Sequence, residues 1–136
     1  MPEETKRLIV ALDHSDLNEA RHLVEVLSPL EVAFKIGLEL YMAGGPSLVA
    51  ELAKRHLIFL DLKFHDIPST VAAAVKSAAS LGVWMINLHA AGGRDMMTAA
   101  HEALLKFDKP PLLVAVTVLT SMNEKALAET GLNVEP

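Results

Sequence analysis

Cysteine is absent from the 136 residues, which excludes disulfide frameworks, thiolate nucleophiles and zinc–sulfur sites and fits the reducing cytoplasm. Aromatic residues make up only 4% of a chain that is 51% hydrophobic, so the apolar content is aliphatic and describes an Ala/Leu/Val-rich globular protein. There is no cationic excess: 12 basic residues face 17 acidic ones, for a formal charge of −5. That balance argues against a phosphate-backbone binder and hence against nucleic acid as a partner. Long hydrophobic runs are also missing. The longest apolar tract, near Leu112–Leu119, falls well short of the ~20 residues a membrane span needs, and the run after Lys6-Arg7 ends at Asp13, too short for a signal-peptide core. The expectation is a soluble, cytoplasmic enzyme or binding domain, with residues 1–136 as a single domain.

What the chain does have is a rhythm. Short apolar, β-branched runs at Leu8–Leu12, Val32–Ile36, Leu57–Leu62, Val83–Leu88 and Leu112–Leu119 read as strands, each bounded by charge, Gly or Pro. Between them, apolar residues recur at helical spacing. Leu17, Ala20, Leu23, Val24 and Leu27 form one face, with Ser15 and Asp16 as candidate N-caps. Leu48, Val49, Leu52 and Ala53 form a second after the Gly44-Gly45-Pro46 break, Val71–Leu81 a third, and Met96–Leu105 a fourth after Gly92-Gly93. Asn123–Leu132 reads as a short fifth helix stopped by Gly131. Lys109-Pro110-Pro111 reads as the turn before the last strand. Strand starts recur every ~26 residues, close to one βα unit, and strands alternating with helices predict an α/β fold with a parallel sheet.

Polar residues gather where these strands end: Asp13 on the first, Lys35 on the second, Asp61 and Lys63 on the third, Asn87 and His89 on the fourth, Thr117 and Thr120 on the fifth. In parallel α/β sheets and barrels, ligands bind outside the carboxyl ends of the strands. A charge interrupting an apolar strand is costly unless paired, so several at one edge point to a mutually neutralising site. Strand parity puts Asp61 and Lys63 on one face and Leu60 and Leu62 on the other. Asp66 follows just beyond the strand, in a loop that Pro68 closes as the next helix starts. A same-face salt bridge explains Asp61 and Lys63 taken alone; four further polar strand ends favour a functional site.

The segment from Phe59 through Asp61-Leu62-Lys63-Phe64-His65-Asp66-Ile67-Pro68-Ser69-Thr70-Val71 resembles the orotidine 5′-phosphate decarboxylase family. Val10-Ala11-Leu12-Asp13, Phe34-Lys35-Ile36-Gly37, Asn87-Leu88-His89-Ala90 and Val118-Leu119-Thr120-Ser121 extend the resemblance over essentially the whole chain. The D-x-K-x-x-D pattern alone is shared with related sugar-phosphate decarboxylases; its Ile-Pro-x-Thr-Val continuation makes it specific.

The resemblance implies a carboxy-lyase of pyrimidine (UMP) biosynthesis that needs no cofactor and no metal, built on a TIM (β/α)8 barrel and working as a homodimer. The ligands it implies are orotidine 5′-phosphate as substrate and UMP as product. It assigns a catalytic set of Lys63, Asp61, Asp66 and Lys35. Lys63 would protonate C6 of the pyrimidine after carbon dioxide leaves, and Asp61 would crowd the substrate carboxylate, disfavouring the bound ground state. Lys35 and Asp13 would hold ribose hydroxyls, Thr120 and Ser121 would meet the nucleotide, and Asp66, Ile67 and Thr70 would reach across the dimer interface. His89 would lend outer support. Alternating Lys35, Asp61, Lys63 and Asp66 would keep both lysines charged.

Eight units at ~26 residues each need about 200 residues or more, so the chain is expected to hold about five parallel βα units of an incomplete barrel, without the phosphate-binding loops of the last strands. Turnover by such a chain would then be in question. Two alternatives stand beside the main reading: a metal-dependent phospho-sugar decarboxylase of the same superfamily, and a non-catalytic half-barrel that self-associates through unpaired strands one and five. Elsewhere the plainer readings apply. His14, His22, His56 and His101 lack ligand spacing and are expected on the solvated surface, and His65 is expected to be structural or interfacial. Gly44-Gly45 and Gly92-Gly93 are expected at helix boundaries, and Met96-Met97 in packing.

Overall fold

A computed structural model describes residues 8–132; Lys6 and Arg7, mentioned above, lie outside them. Five parallel strands alternate with helices: β1 (Ile9–Ala11), α1 (Leu17–Leu27), β2 (Ala33–Gly37), α2 (Leu38–Ala53), β3 (Ile58–Phe64), α3 (Pro68–Ala79), β4 (Met85–His89), α4 (Arg94–Leu104), β5 (Leu112–Val116) and α5 (Glu124–Glu129). The strands lie in chain order, so every pair is a βαβ crossover between neighbours and β1 and β5 form the sheet edges among the described residues.

Register explains which residues share a face. Ala11, Lys35, Phe59, Met85 and Leu112 lie side by side across the five strands. The alternate residues Phe34, Ile36, Ile58, Leu60, Ile86 and Leu88 point the other way and are fully buried under the helices. Those helices supply Ala20 and Val24 from α1, Leu40, Leu48, Val49 and Leu52 from α2, Val71, Val75 and Ala78 from α3, and Met96, Ala100 and Leu104 from α4. The small residues of α3 let it lie close to the sheet. Burying a side chain of this size contributes about 1.5–3 kcal/mol each, so this one-sided core carries the fold. The inner face, bearing Lys35, has no such cover: Leu112 and Val114 on β5 are 51% and 42% exposed.

Local signals account for the boundaries. Asp16 caps α1, its carboxylate accepting the N–H groups of Asn18 and Glu19 at 2.7 and 3.1 Å. Asn123 caps α5 through the Ala126 N–H, and Pro68 opens α3 at a position that needs no N–H donor.

Three expectations need correction. A helical segment does follow the Gly44-Gly45-Pro46 break, but an unexpected one from Leu38 precedes it, and the two run on as α2 with a kink where Gly45 adopts φ 61°. Only glycine takes that conformation cheaply, and Pro46 then restarts the helix as a first-turn residue. Strand β5 ends at Val116, not Leu119, with Thr117–Ser121 leaving the sheet. His56 is not a solvated surface residue: it is half-buried, its ring edge-on to the core residue Phe34 with centroids 5.4 Å apart.

Candidate active site

The charged strand ends meet on the inner face at the carboxyl edge of the sheet. Asp61 is their centre. Its Oδ1 accepts the Lys63 ammonium at 2.7 Å and the Asn87 side-chain amide at 2.6 Å. Its Oδ2 lies 3.4 Å from the Lys35 ammonium, which stands equally far from Asp13 Oδ1. The result is an alternating line, Asp13, Lys35, Asp61, Lys63, drawn from three consecutive strand ends. Exposure falls toward its centre, with the Asp61 side chain 11% exposed against 70% for Asp13.

Burial pushes the Asp61 carboxyl up. The hydrogen bonds from Lys63 and Asn87, and then the charges of Lys63 and Lys35, outweigh that effect and hold it below the usual aspartate range. Asp61 is therefore ionised at neutral pH. The site presents two ammonium groups gripped by a nearly enclosed carboxylate, able to donate hydrogen bonds and a proton to an anionic ligand.

The Asp61–Lys63 contact arises differently from the simple alternation that strand parity suggests. Leu60 pairs with Ile86 but Phe64 pairs with Leu88, so β3 carries extra residues in a bulge. Within it Lys63 takes φ 52°, in the left-handed region that a long L side chain seldom enters and that costs about 1–3 kcal/mol. The lysine reaches Asp61 because the backbone turns.

The structure thus assembles Asp13, Lys35, Asp61 and Lys63. Asn87 joins them through hydrogen bonds to Asp61 and Lys63; the remaining residues singled out from sequence make no ion pair or hydrogen bond with this cluster among the described residues. Asp66 is exposed and accepts the N–H of Ile67 at 2.6 Å, and within this chain Asp13 is the outer acid of the alternating line. Ile67 and Thr70 are exposed at the start of α3, and Thr120 and Ser121 after β5. His89 stacks obliquely on His65, their centroids 5.4 Å apart. Asn87, named only as a polar strand end, is the residue that sequence reasoning passed over. Its signal was an amide set between the apolar residues Ile86 and Leu88, and the structure buries it.

The chain matches the family model described as orotidine 5′-phosphate decarboxylase / HUMPS over residues 6–135. It belongs to that family. Orotidine 5′-phosphate decarboxylase of Tolumonas auensis is 53% identical over 132 residues, which cover 96% of this chain and 57% of the relative. The protein of that name from Nitrosococcus oceani is 54% identical over 130 residues, covering 95% and 56%. This chain therefore spans little more than half the length of the curated relatives it matches.

Among solved structures, orotidine 5′-phosphate decarboxylase from Lactobacillus acidophilus superposes with a TM-score of 0.84 at 35% identity, covering 96% of this chain and 61% of that one. An uncharacterized conserved protein from Geobacillus kaustophilus gives 0.83 at 44% identity, covering 89% and 59%. The α/β fold expected from the repeat is thus confirmed, its five parallel βα units forming part of a TIM barrel of this family.

Proposed function

We propose that this chain carries the proton-donating part of an orotidine 5′-phosphate decarboxylase site, converting orotidine 5′-phosphate to UMP. The observation that carries the reading is the buried Asp61 carboxylate held between the Lys63 and Lys35 ammonium groups at the carboxyl edge of the sheet. In the reaction the bond from C6 to the carboxylate carbon breaks and its electron pair stays on C6. Lys63 stabilises that charge as it develops and then transfers an Nζ proton to C6, leaving a neutral amine that solvent reprotonates. Asp61 orients Lys63 and sets a negative charge beside the departing carboxylate. Lys35 and Asp13 bind ribose hydroxyls, with Thr120 and Ser121 on the nucleotide.

The exposed positions of Asp66, Ile67 and Thr70 suit a homodimer in which these residues enter the partner's site, and the setting is the cytoplasm. Both Asp61 oxygens face ammonium groups, which disfavours a divalent metal there and hence the phospho-sugar alternative.

The test is turnover of orotidine 5′-phosphate followed by UMP formation, alongside UMP titration monitored by NMR. UMP is expected to perturb Lys35, Asp61 and Lys63, and Lys63→Ala to abolish turnover while UMP still binds. Near-normal turnover in that variant refutes the assignment, as does a parent chain with neither turnover nor UMP-induced shifts at those residues.

A further inference from the structure

Asn87 lies in the middle of β4, 2% exposed, and touches both members of the Asp61–Lys63 pair. Its Nδ2 donates to Asp61 Oδ1 at 2.6 Å, and its Oδ1 accepts the backbone N–H of Lys63 at 2.8 Å. Donor and acceptor chemistry fixes this orientation. An ionised carboxylate only accepts and a peptide N–H only donates, so a flipped amide would satisfy neither.

The bulge explains why an amide is needed. Between the pairs Leu60 with Ile86 and Phe64 with Leu88, three residues of β3 face the single residue Asn87. The regular ladder is interrupted there, and the Lys63 N–H requires an acceptor from another source. Asn87 supplies it from a side chain. The Lys63 ammonium then folds back onto the same Asp61 oxygen that Asn87 contacts, closing a ring of three hydrogen bonds through Asn87, Lys63 and Asp61.

We infer that Asn87 is a positioning residue: it holds Lys63 in its left-handed turn and Asp61 in line with the ammonium, so that Nζ stands at a fixed place on the sheet edge. Its purpose rests on the decarboxylase reading, but its test does not. An apolar side chain of similar volume would fill the same space and pack well. What it would lose is the acceptor that stabilises the turn and a donor that, after Lys63, helps hold the Asp61 carboxyl down.

The experiment is NMR on the isotopically labelled chain and on Asn87→Leu and Asn87→Asp. In Asn87→Leu, the Asp61 carboxyl titrates at higher pH than in the parent, and the Lys63 amide loses exchange protection and its left-handed HN–Hα coupling. Asn87→Asp retains an acceptor for the Lys63 N–H, so the coupling persists, while a second acid facing Asp61 moves the carboxyl titration up. This separation of the two bonds is a result that mere space-filling does not produce. A lowered Tm in Asn87→Leu with both the Asp61 titration and the Lys63 coupling at parent values overturns the inference. Should Asn87→Leu fail to fold, an unmoved Asp61 titration in Asn87→Asp overturns it by itself. Failure of UMP to bind would refute the decarboxylase reading and leave these measurements intact.

Discussion

Replacing Asp61 with Asn and Lys63 with Met, singly and together, isolates the energy of the ion pair at the centre of the site. The two charges stand 2.7 Å apart, with side-chain exposures of 11% and 33%. Coulomb's law with an effective dielectric constant near 20 gives about 6 kcal/mol at that separation. Opposing it are the desolvation of the carboxylate, several kcal/mol for a fully enclosed ion, and about 2 kcal/mol for ordering the lysine chain. Asp61 is nearly enclosed and Lys63 one-third open, so the pair falls between exposed pairs, worth about 0.2–1 kcal/mol, and enclosed ones, where losing a partner costs about 3–5. The expected coupling is about 1–2 kcal/mol, a roughly 5- to 30-fold change in the folding equilibrium. Urea unfolding of the four proteins, followed by circular dichroism, supplies the free energies of the cycle. The single substitutions should be unequal. Lys63→Met leaves Lys35, 3.4 Å away, to neutralise Asp61, whereas Asp61→Asn leaves two ammonium groups facing a neutral amide and costs more. A coupling under about 0.3 kcal/mol, or the reverse order of the two single costs, refutes this account of the site.

Acid should erode the same interaction. Asp61 has a lower pKa folded than unfolded, so the unfolded chain takes up its proton first. The stabilisation is complete above the unfolded range, near about 3.9, and is lost as pH falls through the folded value. The gap in urea midpoint between the parent and Asp61→Asn should therefore narrow on acidification; a constant gap contradicts this. Gly44→Ala should destabilise by about 1–3 kcal/mol despite the better helix preference of Ala. The new Cβ would lie 2.6 Å from Cδ2 and 2.8 Å from Cβ of the buried Leu48, and an unchanged Tm in a thermal melt would show that the α2 kink relaxes to admit it.

The parallel α/β repeat was legible because period-2 and period-3.6 patterns alternate cleanly and each strand carries its polar residue at the same end. The first half of α2 was not. Leu38–Met42 is apolar at both periods and lies between a strand and two glycines, so only packing decides it. The Asp61–Lys63 contact was anticipated from parity, yet parity alone describes neither the bulge nor the left-handed turn that creates it. A bulge is a relation between two strands, invisible in either one, and for that reason the role of Asn87 opposite it could not be read from β4. Asp13, in contrast, was visible as a strand end, and the register of β1 on β2 brings it within 3.4 Å of Lys35.

The strictly sequential strand order has a consequence for how the molecule is made. Among the described residues each strand pairs only with neighbours in the chain, so sheet growth can follow synthesis, one βα unit laid on the edge left by the last, with contacts local in sequence at every step. The hydrogen-bonded ring is different, because Asp61 and Lys63 arrive on the third strand and Asn87 on the fourth. The ring therefore cannot close from β3 alone: it needs β4 in place to bring Asn87 to Asp61 and Lys63.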